Sequence, residues 1–346
     1  MGIVSRAESI KTNLTIFEKL LRVFKIFLTS MELKKIINEL KSYTGILRKK
    51  FTGRFQDLVR DFFGEDAGFF DLSDYTIVFT TDGIWHRVLE KDLYWGGFVS
   101  ILVNVHDIYA MGARPKYAVN VVSATDEESL EEIKRGITDA AKKFGIKILK
   151  GHVHPDAPQN SIDVAMIGLA RKGCVIRSNT AKDGDDIVVA VDIDGKPRKN
   201  LPYNFDSTDK DPSILIWQFD SMVELAEKKL VNAGKDISNP GMIGTIAMML
   251  ETSDKGATVC IDRIPKPENV DLTQWLLSYP ACGFCVTTDR ADEVLKVFKK
   301  HWLSASVIGK VDSSRIIRLR FGSEEEVFID FERESIFGLE TRSDFR

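Results

Sequence analysis

The segment from Leu93 to Met111 constrains the fold most, because it is long and apolar enough to form a helix in the protein core. Within it, Asn104 and Asp107 are three residues apart, and this spacing places both side chains on the same face of a helix. Gly112 then ends the helix, and Pro115 prevents it from resuming. A carboxylate on a buried helix needs a partner, so Asp107 is predicted either to cap a neighbouring loop or to hold a metal ion.

Segments with the periodicity of strands and of helices alternate on both sides of this helix. The pattern predicts an α/β or α+β fold in two halves, joined near the polar segment from Arg177 to Asp186. We predict a first domain over residues 31–175, a second over residues 176–346, and an N-terminal extension over residues 1–30. The polar segment from Asp192 to Pro212 is predicted to be a surface loop. Further helices are predicted from Glu127 to Phe144, from Ser213 to Asn232 and from Gly241 to Glu251.

Composition excludes some classes of protein. The chain has 346 residues, of which 44% are hydrophobic and 29% charged, as in ordinary globular proteins. A net charge of −3 argues against a dedicated nucleic-acid binder, which usually has a basic surplus. Four cysteines in so long a chain do not form the disulfide framework of a secreted domain, so a cytoplasmic location is predicted.

The N-terminal extension contains an apolar stretch from Ile16 to Leu28, but four charged residues interrupt it. It is therefore too charged for a membrane span, and stable membrane insertion is not expected. Two interpretations stay open: a basic amphipathic helix on a membrane surface, or a segment that packs on the body or stays loose. The second is favoured, because single amphipathic segments are common.

Four short motifs occur at predicted strand ends or turns, where proteins tend to display functional groups. They are Gly64–Ala67 (GEDA), Thr80–Gly83 (TTDG), the Asn104/Asp107 pair and Lys150–Asp156 (KGHVHPD). Together they place several carboxylates at one rim of a sheet. Hard oxygen ligands suit Mg²⁺, which leaves positions for water and phosphate, and glycines let the backbone approach a phosphate closely.

These motifs resemble those of the AIR synthase (PurM-like) superfamily, which includes thiamine-monophosphate kinase, selenophosphate synthetase and HypE. TTDG, followed about twenty residues later by N-x-x-D-I-x-A-M-G-A-x-P, carries most of the resemblance. GEDA is similar to the superfamily's GDDAA motif, and KGHV lies where its GGDT, GGHS or GGET motif falls. The segment from Arg177 to Val189 resembles its domain-joining motif. The whole chain is most similar to the AIR-synthase-related group called methanogenesis marker protein two.

The resemblance implies a two-domain PurM-like fold, with an N-terminal domain of sheet and helices that dimerises and a C-terminal α/β domain. It also implies a homodimer that binds ATP and Mg²⁺ in an acidic cleft. By this resemblance Asp66, Asp82 and Asp107 hold metal. Asn104, Gly112 and Gly151 are assigned to cofactor binding. His152 is assigned as an acid, a base or a substrate contact, with a hydrogen bond to the backbone as the alternative.

Several departures from the superfamily pattern bear on function. The kinase has Ser-Asp-Gly in its second domain, whereas this chain has Ser238-Asn239-Pro240-Gly241, so one anionic ligand is predicted to be missing. No cysteine precedes Cys174, and the chain does not end in a cysteine tail, so selenophosphate synthetase and HypE chemistries are disfavoured. The pair Cys282/Cys285 lacks a second pair or a nearby histidine, and a structural role is favoured over metal binding.

The leading hypothesis is an enzyme that uses ATP and Mg²⁺ to activate or phosphorylate an oxygen of an unknown substrate, either a small molecule or a group on a protein. A role in methanogenesis-related cofactor or protein maturation follows from the resemblance. Two alternatives stay open. The first is a nucleotide-binding assembly or maturation factor without turnover of its own. The second is a small-molecule kinase like thiamine-monophosphate kinase.

Overall fold

Two β-sheets, one in each half of the chain, organise the computed structural model, which describes residues 29–280 and 283–340. Ten helical segments surround the sheets within these ranges, the first being described from residue 29 onward. They are α1 (29–42), α2 (Thr44–Lys49), α3 (Gln56–Val59), α4 (His86–Leu89), α5 (Leu93–Ala110), α6 (Glu127–Phe144), α7 (Pro212–Glu227), α8 (Gly241–Thr252), α9 (Leu272–Leu276) and α10 (Ala291–Lys300). Short 3₁₀ turns lie at Thr52–Phe55, Arg60–Phe62 and Ile261–Arg263.

The first sheet has five strands in the order β1-β2-β5-β3-β4. Its neighbours are antiparallel except for the parallel pair β3/β4. One face packs on α5 and α6, and the residues that alternate with the buried ones point outward. The strands are β1 (Gly68–Leu72), β2 (Tyr75–Gly83), β3 (Arg114–Ser123), β4 (Lys147–His154) and β5 (Ser161–Arg171).

The second sheet has seven strands in the order β14-β13-β10-β12-β6-β11-β9, and helices cover both of its faces. A separate two-stranded hairpin is formed by β7 and β8. The strands are β6 (Asp186–Val191), β7 (Lys196–Arg198), β8 (Leu201–Asp206), β9 (Ala233–Asp236), β10 (Gly256–Cys260), β11 (Gly283–Thr288), β12 (Ser304–Asp312), β13 (Ile316–Phe321) and β14 (Glu324–Asp330).

The sequence predicts most of these elements, and three differences have physical causes. The segment from Asp192 to Pro212 is not a plain loop, because it contains the β7–β8 hairpin, whose short strands pair only with each other in their sheet. The helix predicted from Ser213 to Asn232 ends at Glu227, and Lys229 then adopts a positive φ of 52°. The residues after that turn include β9, which is too short to show the alternating pattern of a strand.

The N-terminal helix α1 packs with the second half, although the sequence analysis grouped it with the first. Its buried side chains Leu33, Ile36, Ile37 and Leu40 join the core that includes α8 and one face of the second sheet. These four side chains recur at the spacing of one helix face. Residues 29 and 30 are already helical, whereas residues 1–28 lie outside the described residues.

The described residues bear in part on the cysteine pair and on membrane insertion. Cys285 is fully buried in β11 beside apolar side chains, as a structural role requires, whereas Cys282 lies outside the described residues. Among the described residues, none of the helices has the length and apolarity that crossing a membrane requires.

α5 and α6 touch through two glycines. A Cβ atom on Gly136 would lie 2.0 Å from the backbone oxygen of Tyr94, and one on Gly97 would lie 2.2 Å from that of Ile133. The two backbones are therefore in direct contact, with no room for a side chain between them. This contact fixes the position of α5, which carries Asp107.

We expect Gly136→Ala to destabilise the fold, although alanine favours a helix over glycine by about 1 kcal/mol. Overpacking at a site without free space costs about 1–3 kcal/mol or more, and the clash here is with backbone. The measurement is urea unfolding, with Thr138→Ala on the exposed face of α6 as the control. A Gly136→Ala variant as stable as this control would show that the helices do not depend on close contact.

Candidate metal centre

Three carboxylates from distant parts of the chain converge between the two halves. One ligand oxygen from each of Asp66, Asp107 and Asp236 can be chosen such that all three lie within 4.8 Å of one another. Asp66 lies in the loop before β1, Asp107 is on α5, and Asp236 is the last residue of β9. We call these three residues the carboxylate trio. Such a set of hard oxygen donors matches the preference of a divalent cation such as Mg²⁺.

Asp107 owes its fixed position to the packing of α5. Asp92 caps the helix by accepting a hydrogen bond from the backbone N–H of Trp95 at 2.8 Å, and nearly every side chain that follows is buried. The Thr80 hydroxyl lies 2.7 Å from Oδ2 of Asp107 and 3.1 Å from the backbone oxygen of Asp66. One threonine at the end of β2 therefore links two members of the trio.

The loop that carries Asp66 is tied to the segment joining the two halves. The Glu65 side chain is buried, where it pairs with Arg177 at 2.9 Å and accepts a hydrogen bond from the backbone N–H of Ser178 at 2.7 Å. Glu65 therefore positions the loop and does not face the trio. The neighbouring Asp66 accepts a hydrogen bond from the backbone N–H of Asp236 at 3.2 Å.

Two lysines supply positive charge to the cluster. Lys235 is buried and forms an ion pair with Asp66, and it also donates to the backbone oxygen of Gly64 at 3.2 Å. Burial lowers the pKa of Lys235, but the carboxylates of Asp66 and Asp236 outweigh this effect and raise the pKa above its ordinary value. Lys49, at the end of α2, has a lowered pKa because of burial and the nearby Lys235 charge.

Burial makes the ionised form of the clustered carboxylates unfavourable. Burial raises the pKa of Asp107 well above its ordinary value, and the charges of Asp82, Asp236 and Asp66 raise it further. Burial and the Asp66 charge also raise the pKa of Asp236 well above its ordinary value. Burial also raises the pKa of Asp82, although Lys49 opposes this. An acid with a raised folded-state pKa costs stability as pH rises from its unfolded-state pKa, about 3.9, to the folded-state value, and the full cost persists above that.

A cavity of about 250 Å³ adjoins the trio. Asp82 and Asp236 line it together with Arg48, Lys49 and Asn239. Asp82 therefore lines the same cavity as Asp236, a member of the trio. The lining combines acidic groups, which suit a cation, with a guanidinium and an ammonium group, which suit phosphate oxygens.

Among the residues predicted for cofactor binding, Asn104 lies one turn of α5 before Asp107, as the spacing predicts. It is fully buried, and its amide nitrogen donates to the backbone oxygen of Ser100 at 2.8 Å. Its amide oxygen has no hydrogen-bond partner among the described residues.

Gly112, also predicted for cofactor binding, is packed closely at the end of α5, because a Cβ there would lie 2.4 Å from Ala226 and 3.1 Å from the backbone oxygen of Cys174. Its φ of 77° and this packing at the end of α5 give Gly112 a structural reason to be glycine.

His152 and Gly151 lie on β4, at an edge of the first sheet. Through the strand pairing, His152 is aligned with Val121, Asp163 and Gly83 on successive strands. Three strand spacings separate it from Gly83, a distance of roughly 14 Å. His152 is exposed, with its ring 4.7 Å from that of His154. The structure therefore does not bring His152 or Gly151 to the carboxylate trio of the same chain.

Asp236 was not predicted from the sequence. Asn239 stands where the kinase has an acidic residue, so the sequence predicts one missing anionic ligand. The structure corrects this inference, because Asp236, three residues earlier, supplies a carboxylate from the second half. The sequence holds one indication of this carboxylate, the Lys235-Asp236 pair directly before the Ile-Ser-Asn-Pro-Gly run.

Two family models match the chain. The N-terminal domain of AIR synthase related proteins matches residues 64–170, and the C-terminal domain of the same proteins matches residues 190–322. An uncharacterized protein of Methanocaldococcus jannaschii is 41% identical over 326 residues, which cover 89% of this chain and 100% of that protein. A thiamine-monophosphate kinase of Pyrococcus horikoshii is 30% identical over 217 residues, covering 60% of this chain and 69% of the kinase.

Solved structures share the fold. Thermotoga maritima PurL complexed with ADP has a TM-score of 0.66 at 20% identity, over 83% of this chain and 51% of PurL, so the chain spans about half the length of PurL. A ThiL structure complexed with AMPPCP and TMP has a TM-score of 0.59 at 16% identity, over 80% of this chain and 94% of ThiL. The predicted family and fold class are thus confirmed: the chain belongs to the AIR synthase related family and has its PurM-like fold.

Proposed function

We propose that the chain is an ATP- and Mg²⁺-dependent enzyme that phosphorylates or otherwise activates an oxygen of its substrate. One observation carries the proposal: the ligand oxygens of Asp66, Asp107 and Asp236 lie within 4.8 Å of one another, in a pocket formed by both halves of the chain. The nucleotides in the titles of the similar PurL and ThiL structures support it.

The residues fit a magnesium ion by their chemistry. All three trio members offer carboxylate oxygens, Asp82 adds a fourth carboxylate across the adjoining cavity, and the buried amide oxygen of Asn104 has no partner among the described residues. The trio would hold the ion. When bound, Mg²⁺ neutralises phosphate oxygens and orients the phosphoryl group.

The protein's own contribution is position and charge. Arg48 and Lys49 line the 250 Å³ cavity and would bind phosphate oxygens. α5 and the loop before β1 hold Asp107 and Asp66 rigidly, because both are anchored by hydrogen bonds and packing. Catalysis of phosphoryl transfer depends mostly on such positioning and electrostatic stabilisation. An acid–base role for His152 stays a prediction, as does a cytoplasmic location.

A nucleotide-binding maturation factor without turnover is the second candidate. Asn239 in place of an acidic residue favours this function, whereas Asp236, which supplies a carboxylate from the second half, weakens the case for it. Asn239 still lines the cavity beside Asp236, where the kinase motif has an acid. ATP consumption by the purified protein, alone and with candidate partners, separates this candidate from an enzyme that acts on its own, including a small-molecule kinase. A role in methanogenesis-related maturation stays a prediction.

We also propose a homodimer formed through the outward face of the first sheet. Phe79, Ile167 and Tyr117 are aligned neighbours on adjacent strands, and each is more than 40% exposed. Val119 and Leu149 are also exposed on this sheet. A cavity of about 830 Å³ lies along it. An exposed apolar surface of this kind marks an interface, and a second copy would bury it.

Lys235→Met is expected to lower the free energy of unfolding of the metal-free protein by about 3 kcal/mol, because removing one partner of a buried ion pair costs about 3–5 kcal/mol. Added Mg²⁺ should restore part of this loss, since a bound cation replaces the missing positive charge. Urea unfolding in EDTA and in Mg²⁺ measures both effects. Lys310→Met, which breaks an exposed ion pair with Asp186, is the control. An equal loss with and without Mg²⁺ would contradict the metal centre.

Asp107→Asn should leave the metal-free protein as stable as the wild type, or more so, because it removes a carboxylate whose pKa is raised by folding. The same change should abolish the rise in melting temperature that Mg-ATP gives by mass action. Thermal melting with and without Mg-ATP tests both effects, with Asp289→Asn at an exposed carboxylate as the control. If Asp107→Asn keeps the full rise, Asp107 does not bind the metal.

Ile167→Lys should convert the dimer to a monomer, because it places a charge at the centre of the proposed interface. Light scattering should report twice the mass of one chain for the wild type and the mass of one chain for the variant. Val327→Lys, at an exposed apolar residue of β14, serves as the control and should remain dimeric. A wild-type protein that scatters as a single chain would refute the dimer.

A further inference from the structure

A second cavity of about 490 Å³ opens beside the cavity that adjoins the trio. The two share Trp85, Val88, Asn204 and Tyr279 in their linings, so they form one continuous cleft. We call the larger cavity the chamber. A molecule with one end at the trio would extend into the chamber.

Four aromatic side chains contribute to the chamber wall. Tyr43, Trp85, Tyr203 and Tyr279 all line it, and the rings of Tyr43 and Tyr203 meet edge to face with centroids 5.1 Å apart. Phenol and indole rings arranged in this way favour a flat, aromatic occupant, which gains both apolar burial and ring contacts.

Positive charge lies in the same wall. Arg87 and Lys91 line the chamber, and the Arg87 guanidinium sits 5.1 Å from the centroid of the Trp85 ring. Among the described residues, neither cation has a carboxylate within ion-pair distance, and Glu39 is the one acidic residue of the lining. Two cations without acidic partners in an aromatic cleft favour an occupant that carries an anionic group.

The chamber is held in shape by the β7–β8 hairpin. The backbone N–H of Phe205 donates to the backbone oxygen of Tyr279, and the backbone N–H of Tyr279 donates to the backbone oxygen of Tyr203, both at 2.9 Å. The Trp95 indole N–H donates to Asn204 at 2.8 Å, and the Gln274 amide donates to the Pro202 oxygen at 2.8 Å. A wall fixed from both sides is preorganised for binding.

We propose that the chamber binds the acceptor substrate, and that this substrate is a small molecule with a planar aromatic ring and an anionic group. The proposal rests on the proposed function for the position of the reacting oxygen, which would face the trio. The anion would face Arg87 and Lys91, away from the trio. The adenosine part of ATP is uncharged and would leave the Arg87 and Lys91 charges without an anion, so an anionic ring compound fits the chamber better than a nucleoside does.

Calorimetric titration of the full chain without Mg-ATP tests the proposal. The probes are 1-naphthyl phosphate and 1-naphthoate, which share the ring and differ in the anion, and 1-naphthol, which lacks the anion. We expect at least one anionic probe to bind about tenfold more tightly than 1-naphthol. The tighter of the two anionic probes indicates whether the substrate carries a phosphate or a carboxylate.

Two variants separate the roles of charge and ring. Arg87→Gln should remove most of the preference for the anionic probe and leave 1-naphthol binding unchanged. Tyr203→Leu should weaken all ring-bearing probes by a similar factor, because it removes an aromatic wall. Arg263→Gln, at an exposed arginine that lines neither cavity, is the control and should bind like the wild type.

Three results would overturn the proposal: no binding of either anionic probe, binding unaffected by both variants, or displacement of the probe by adenosine, which would make the chamber a nucleoside pocket. These results are distinguishable from failure of the proposed function. Asp107→Asn should lose the Mg-ATP effect on melting and keep probe binding, whereas a wild type that binds the probe but shows no Mg-ATP effect would refute the function and keep the chamber.

Discussion

The buried ion pair between Lys235 and Asp66 joins the two halves of the molecule at the point where the candidate site forms. Asp66 belongs to the first half and Lys235 to the second, and the backbone of Asp236 adds a hydrogen bond to the same carboxylate. Docking of the halves therefore creates the carboxylate trio. The site and the domain arrangement depend on the same few contacts, so a change that separates the halves also disperses the three carboxylates.

The cluster contains more negative than positive charge. Four carboxylates, Asp66, Asp82, Asp107 and Asp236, surround two ammonium groups, those of Lys49 and Lys235. Burial raises the pKa of Asp82, Asp107 and Asp236, and neighbouring carboxylates add to this effect. A divalent cation would correct this imbalance. Ion binding at the trio would recover stability that the metal-free protein loses to this repulsion.

Sequence reasoning located the residues that sit in regular elements with strong patterns. The patterns place Asp107 on a long apolar helix that ends at Gly112 and Asp82 near the end of a β-branched strand. Their assignment to metal binding, together with that of Asp66, follows from the family resemblance. Asp236 was missed because β9 is short, and because only the packing of the two halves brings Asp236 to Asp66 and Asp107. The segment from Asp192 to Pro212 predicts a surface loop because turn residues and prolines are frequent in it, and the chamber forms only where the β7–β8 hairpin meets Tyr279.

The central claim is that the trio binds a divalent metal, and anomalous diffraction tests it most directly. Crystals grown with Mn²⁺ and a non-hydrolysable ATP analogue would be measured at the manganese absorption edge. We predict an anomalous peak coordinated by Asp66, Asp107 and Asp236, with phosphate oxygens of the analogue as further ligands. A nucleotide bound without a peak at the trio, or a peak ligated by other residues, would contradict the account.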